Sequence, residues 1–91
     1  MSEFVVWKHD LVREANILNL TVDAQVLYVA IQGNTIRLWE RHAVAQTAQE
    51  TRRFRVVGTG HTFPAELPQR HIGTVITRDG EFVFHVFEES K

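Results

Sequence analysis

Five histidines, a glycine-bounded Gly58-Thr59-Gly60-His61 segment and a group of arginines around Trp39 are the residues of this 91-residue chain that could do chemistry. Imidazole serves as metal ligand, general acid or general base near neutral pH. His9, His42, His61, His71 and His85 show neither His-Glu-x-x-His spacing nor a short ligand pair, so a metal site would have to be gathered by the fold. The set best placed for that is His61, His71 and His85, aided by Glu66. Histidines that pack and hydrogen-bond are the commoner case, and we expect no metal and no cofactor.

The Gly58-Thr59-Gly60-His61 stretch could present consecutive amides to an anion. It lacks the lysine and helix of a nucleotide phosphate loop and the third glycine of a dinucleotide fingerprint. His61 could act in acid–base catalysis beside Thr59 or Thr62, yet no serine adjoins it and no carboxylate has a sequence-determined relation to its ring. The competing reading is a rigid turn that satisfies its own backbone. No residue is assigned a catalytic role.

The partner-binding expectation falls on Arg37, Trp39, Arg41, Arg53, Arg55 and His61. Trp39 between two arginines offers a planar apolar anchor flanked by guanidinium donors, the chemistry of many interface centres. Against it stands a structural role, an indole closing the end of a small barrel or sandwich. Arg52, Arg53 and Arg55 with Arg37 and Arg41 form one basic constellation if their strands pair; Glu40, Glu50, Glu88 and Glu89 are available to neutralise it internally.

Composition bounds these options. Ten basic residues against eleven acidic ones leave a net charge of -1, so a nucleic-acid partner is not expected. A hydrophobic fraction of 44% with 23% charged residues describes a folding chain of one domain, residues 1–91. With no cysteine there are no disulfides and no thiolate sites. No targeting segment or membrane span is evident, which predicts a cytoplasmic protein.

The elements that must position these residues read as strands. Phe4 to His9 opens with β-branched and aromatic residues, Trp7 lying in the core or shielding an edge, and a polar stretch follows from Asp10 to Asn16. Ile17 to Leu20 is a second strand. Val26 to Ile31 and Ile36 to Arg41 form a hairpin about Gly33-Asn34, with Ile36 and Leu38 on one face and Arg37, Trp39 and Arg41 on the other. Residues from Ala43 to Arg53 lose the alternation and read as a solvent-facing connection. Arg52 to Val57 restores the strand pattern, with Phe54 and Val56 on one face and Arg53 and Arg55 on the other, and a second hairpin turns at Asp79-Gly80. Both faces of the last strand carry bulk, Phe82, Phe84 and Val86 on one and Val83, His85 and Phe87 on the other; it should be central, its second face covered by the long connection or by another copy. The fold class is mainly β: a compact antiparallel sandwich or partly open barrel of six or seven strands.

Trp7-Lys8, Phe54 to His61 ending in Gly-Thr-Gly-His, and Phe84-His85-Val86-Phe87-Glu88 together resemble a family of small uncharacterised proteins of tailed bacteriophages and prophages. An aromatic tyrosine often precedes the Ile-Gly-Thr element there, whereas His71 stands here. The resemblance covers nearly the whole chain and implies a phage accessory protein in the host cytoplasm. Such a protein works by stoichiometric binding of a host or phage protein, as in inhibition of a host defence complex. The alternatives are a virion or morphogenesis component, self-associated as a homodimer or larger array, and a small-ligand or phosphate-binding enzyme around His61, His71 and His85.

Overall fold

Period-two runs of β-branched and aromatic residues become seven antiparallel strands in the computed structural model, which describes residues 2–90. They are β1 (Phe4–Leu11), β2 (Glu14–Thr21), β3 (Gln25–Gln32), β4 (Thr35–Ala43), β5 (Gln49–Gly58), β6 (Gln69–Ile76) and β7 (Val83–Glu89). Two sheets result, one ordered β1-β4-β3 and the other β2-β5-β7-β6, and they do not close into a barrel.

Alternation decides what lies between the sheets. β4 turns Ile36 and Leu38 inward, β5 Phe54 and Val56, and β7 Phe84 and Val86; Leu38, Phe54 and Val86 are each 0% exposed. Burial of a side chain of this size stabilises the fold by about 1.5–3 kcal/mol. β3 and β6 close one side of the sandwich, and Gly73 of β6 is there because a Cβ would stand 2.5 Å from Val29 Cγ2. The β6 register shifts between His71 and Gly73 at this close approach.

Turns sit where their chemistry requires. Gln32 pairs with Thr35 around a two-residue loop in which Gly33 has φ +64 while Asn34 keeps negative φ, the sign pattern of a II′ hairpin. The second hairpin is held by Thr77 and Asp79: the Thr77 hydroxyl donates to Asp79 Oδ1 at 2.6 Å, and the Glu81 amide donates to the same oxygen at 2.9 Å. These bonds hold the Asp79 carboxyl below its ordinary value.

Two stretches differ from the sequence expectation. β1 runs on through Asp10 to Leu11 and β2 begins at Glu14, so the polar connection shrinks to a tight link clamped by Asn16. The Asn16 side chain accepts from the Val12 amide at 2.7 Å and donates to the Val12 carbonyl at 2.9 Å. β5 begins at Gln49, within the stretch read as a connection, because Thr21, Leu20 and Asn19 of β2 pair with Gln49, Glu50 and Thr51. Backbone pairing against β2 there outweighs weak local alternation.

The last strand is central, between β5 and β6, as its double-sided bulk predicted. Residues 59–68 fold over its outer side, where Phe63 stacks on Phe87 and Val57 is only 7% exposed. At one end Arg52 grips Glu88 with two bonds, Nε to Oε2 at 2.6 Å and Nη2 to Oε1 at 2.8 Å, while Nη1 donates to the Ala24 carbonyl at 2.7 Å. One fork thus joins β5, β7 and the turn after β2.

Candidate functional site

The registers divide the expected partner-binding residues between two opposite surfaces. Arg37, Trp39 and Arg41 lie on the outer face of β1-β4-β3, whereas Arg53, Arg55 and His61 belong to the other sheet. β4 and β5 occupy different sheets, so the single arginine constellation does not form. Within the second group, Arg55 donates through Nε to Glu89 at 2.9 Å, and Arg52 is spent on Glu88. The carboxylates noted as internal alternatives absorb these two guanidinium groups.

The outer face of β1-β4-β3 has a different character. Its middle row places Lys8, Trp39 and Tyr28 side by side across the three strands. Tyr28 is 65% exposed and sits 6.2 Å from the half-buried Trp39 ring. In the next row Val6 and Gln25 flank Arg41, whose guanidinium lies 4.4 Å from the centre of the Phe4 ring and donates to Gln25 Oε1 at 2.7 Å. On the other side Arg37 pairs with Asp10 at 3.2 Å and donates to Gln32 at 2.6 Å. Trp39 therefore stands mid-sheet and does not close an end of the sandwich. Phe4, Val6 and Tyr28 remain more than half exposed beside it, and three cations share the face with one carboxylate.

The Gly-Thr-Gly-His segment is a turn. The His61 amide donates to the Gly58 carbonyl at 3.0 Å, Gly60 takes φ +87, and the His61 ring packs against Gly58 so closely that a Cβ there would meet Nδ1 at 3.0 Å. The Thr59 amide is spent on the Val83 carbonyl at 3.1 Å. Two amides that an anion site would use are thus already bonded.

His71 and His85 are linked without His61. The Thr74 hydroxyl bridges His71 Nε2 at 3.0 Å and His85 Nδ1 at 3.1 Å, and His85 Nε2 meets the Thr59 hydroxyl at 2.8 Å. Among the described residues no three histidines or carboxylates are placed to hold a metal ion. No helix among them is long and apolar enough to cross a membrane.

Sequence reasoning missed the most buried polar cluster. Glu40, 1% exposed, and His42, 4% exposed, continue the inward face of β4 beyond Ile36 and Leu38. Glu40 Oε1 lies 2.8 Å from His42 Nδ1, and Oε2 lies 2.9 Å from His9 Nε2. Trp7 meets the His42 ring edge-on at 4.7 Å. Two residues further along an alternating strand was a usable signal for Glu40 and His42; His9 needed the β1–β4 register.

No curated protein and no solved structure matches the chain. Over residues 3–91 it matches the family model described as Domain of unknown function (DUF7352). The chain belongs to that family.

Proposed function

We propose that this protein is a stoichiometric binding module that docks an acidic protein surface on the outer face of β1-β4-β3. The supporting observation is an asymmetry between its two outer faces. The aromatic face of β5-β7-β6 is shielded by residues 59–68 through Phe63 on Phe87, while the face of the other sheet leaves Phe4 and Tyr28 exposed around the half-buried Trp39. Exposed aromatic groups of this kind mark interaction sites. Lys8, Arg37 and Arg41 against Asp10 leave that face positive, which selects a partner with carboxylates around an apolar centre. Tyr28 and Trp39 are the anchors, and the cations steer and orient.

The narrower reading, inhibition of a host defence complex, comes from the resemblance to phage proteins and is decided by which partner is found. A tagged chain first retains its partner from host cells, and that partner is then purified and titrated against variants. Tyr28→Ala and Lys8→Glu, both at exposed positions, are expected to weaken binding about tenfold or more, with affinity falling as salt rises. Arg53→Ala is expected to leave binding within about twofold. A titration in which Arg53→Ala is damaging and Tyr28→Ala silent overturns this assignment, as does a salt-independent affinity.

A further inference from the structure

One end of the sandwich is left open. Where the β3–β4 turn, the β6–β7 turn and the link from β1 to β2 meet, a cleft of about 750 Å³ lies between the sheets, a size suited to a small ligand. Its floor is the end of the core, formed by Leu11, Ile36 and Phe84. Phe82 stands beside Phe84 with ring centroids 6.5 Å apart, and Phe82 and Val12 keep more than half of their surface in water at the rim. Covering such apolar surface is favourable for an occupant with an apolar body.

Two cations line this apolar cleft with their donors unspent. The Arg13 guanidinium carbon lies 4.8 Å from the centre of the Phe84 ring, against the floor, and among the described residues it makes no hydrogen bond or ion pair. Arg78 lines the same cleft and is equally free of partners among them. Arg37, Arg41, Arg52, Arg55 and Arg70, by contrast, each donate to a side-chain acceptor. The one carboxylate in the lining, Asp79, already accepts from the Thr77 hydroxyl and the Glu81 amide through Oδ1. Glu14 follows Arg13 in the chain but lines the adjoining cavity. Two guanidinium groups against one carboxylate leave the cleft positive, and a guanidinium fork matches the two oxygens of a carboxylate.

We propose that this open end is a binding site for a small carboxylate carrying an apolar tail. The tail lies against Leu11, Ile36 and Phe84, and the carboxylate accepts hydrogen bonds from Arg13 and Arg78. The cleft shares no residue with the protein-binding face around Trp39, so the site stands or falls without that reading.

The test is a titration of the full chain with octanoate at neutral pH, followed by NMR at the backbone amides of Gly33, Thr35 and Phe84. 1-Octanol supplies the tail without the charge, and acetate the charge without the tail. Octanoate is expected to give saturable shifts at these amides with a Kd of roughly 1 mM or below, 1-octanol to bind about tenfold more weakly, and acetate to give none. Arg13 and Arg78 are both exposed, so Arg13→Gln and Arg78→Gln should keep the amide spectrum away from the cleft. Each is expected to weaken octanoate about fivefold or more, whereas Arg53→Gln, which removes the same charge outside the cleft, should leave it within about twofold. Vesicles of phosphatidylglycerol are expected not to sediment the chain. Absence of saturable octanoate shifts, equal binding of 1-octanol or acetate, or unchanged affinity in both folded cleft variants overturns the proposal. Sedimentation with the vesicles in place of octanoate binding overturns it too, in favour of a lipid surface.

Discussion

Phe63 is stacked on Phe87, with ring centroids 5.3 Å apart and planes inclined by 28°, so a loop residue shields the central strand of its own sheet. Phe63 is still 38% exposed, which limits what the contact contributes. Phe63→Ala is expected to cost about 1 kcal/mol in urea unfolding and to uncover Phe87. Binding at the Trp39 face should be unaltered, since that face belongs to the other sheet.

Glu40 is the group on which the interior polar cluster turns, because His9 and His42 both direct a ring nitrogen at it. Glu40→Leu leaves two imidazoles without their acceptor and should destabilise the protein by about 2–3 kcal/mol. Glu40→Gln should cost less, about 1 kcal/mol, because an amide accepts from one ring and donates to the other after a tautomer change. Equilibrium denaturation of the two variants gives the comparison; equal losses would mean that volume, not hydrogen bonding, sets the effect.

Gly73 and Val29 touch across the closed side of the sandwich. Gly73→Ala forces a Cβ to within 2.5 Å of Val29 Cγ2 and is expected to cost about 1–3 kcal/mol through overpacking. Val29→Ala alone opens a cavity, yet in the double variant it makes room for the new methyl group. A double-mutant cycle should therefore show the pair less damaging than the sum of the singles by about 1 kcal/mol or more.

Acid should loosen the end of the sheet where β5 and β6 begin and β7 finishes. The two bonds from Arg52 hold the Glu88 carboxyl below its ordinary value of 4.5, against the opposing effect of partial burial. For Glu89 burial by itself would raise the value, but bonds from Arg55 and Gln69 outweigh it, and the net direction is again downward. A carboxyl lowered in the folded state contributes stability in full above its unfolded value and loses it as pH falls toward the folded one. Urea midpoints should hold steady above that range and decline as pH drops below the ordinary value of 4.5. Substituting Arg52→Met should flatten the decline and lower stability near neutral pH by about 2 kcal/mol.

The fold class was legible because its causes are local. Alternation along Ile36 to Arg41 placed Arg37, Trp39 and Arg41 together on one face, and Gly33 with Asp79-Gly80 marked both hairpins. The two-sided bulk of Phe82 to Phe87 implied a central strand whose second face is covered by the long connection or by another copy, and β7 is central, between β5 and β6. Where alternation was weak, at Gln49 to Thr51, the strand came from the partner backbone of β2 and left no local trace.

Sequence by itself determined which side chains share a strand face, because a period of two is a property of the backbone. Tertiary structure alone decided which strands are neighbours, and through that sent Arg53 and Arg55 to the surface opposite Trp39, paired Arg52 and Arg55 with Glu88 and Glu89, and set His9 beside Glu40 across a separation of 31 residues. Strand order follows from how whole faces pack and how loops close. No short run of residues encodes that choice.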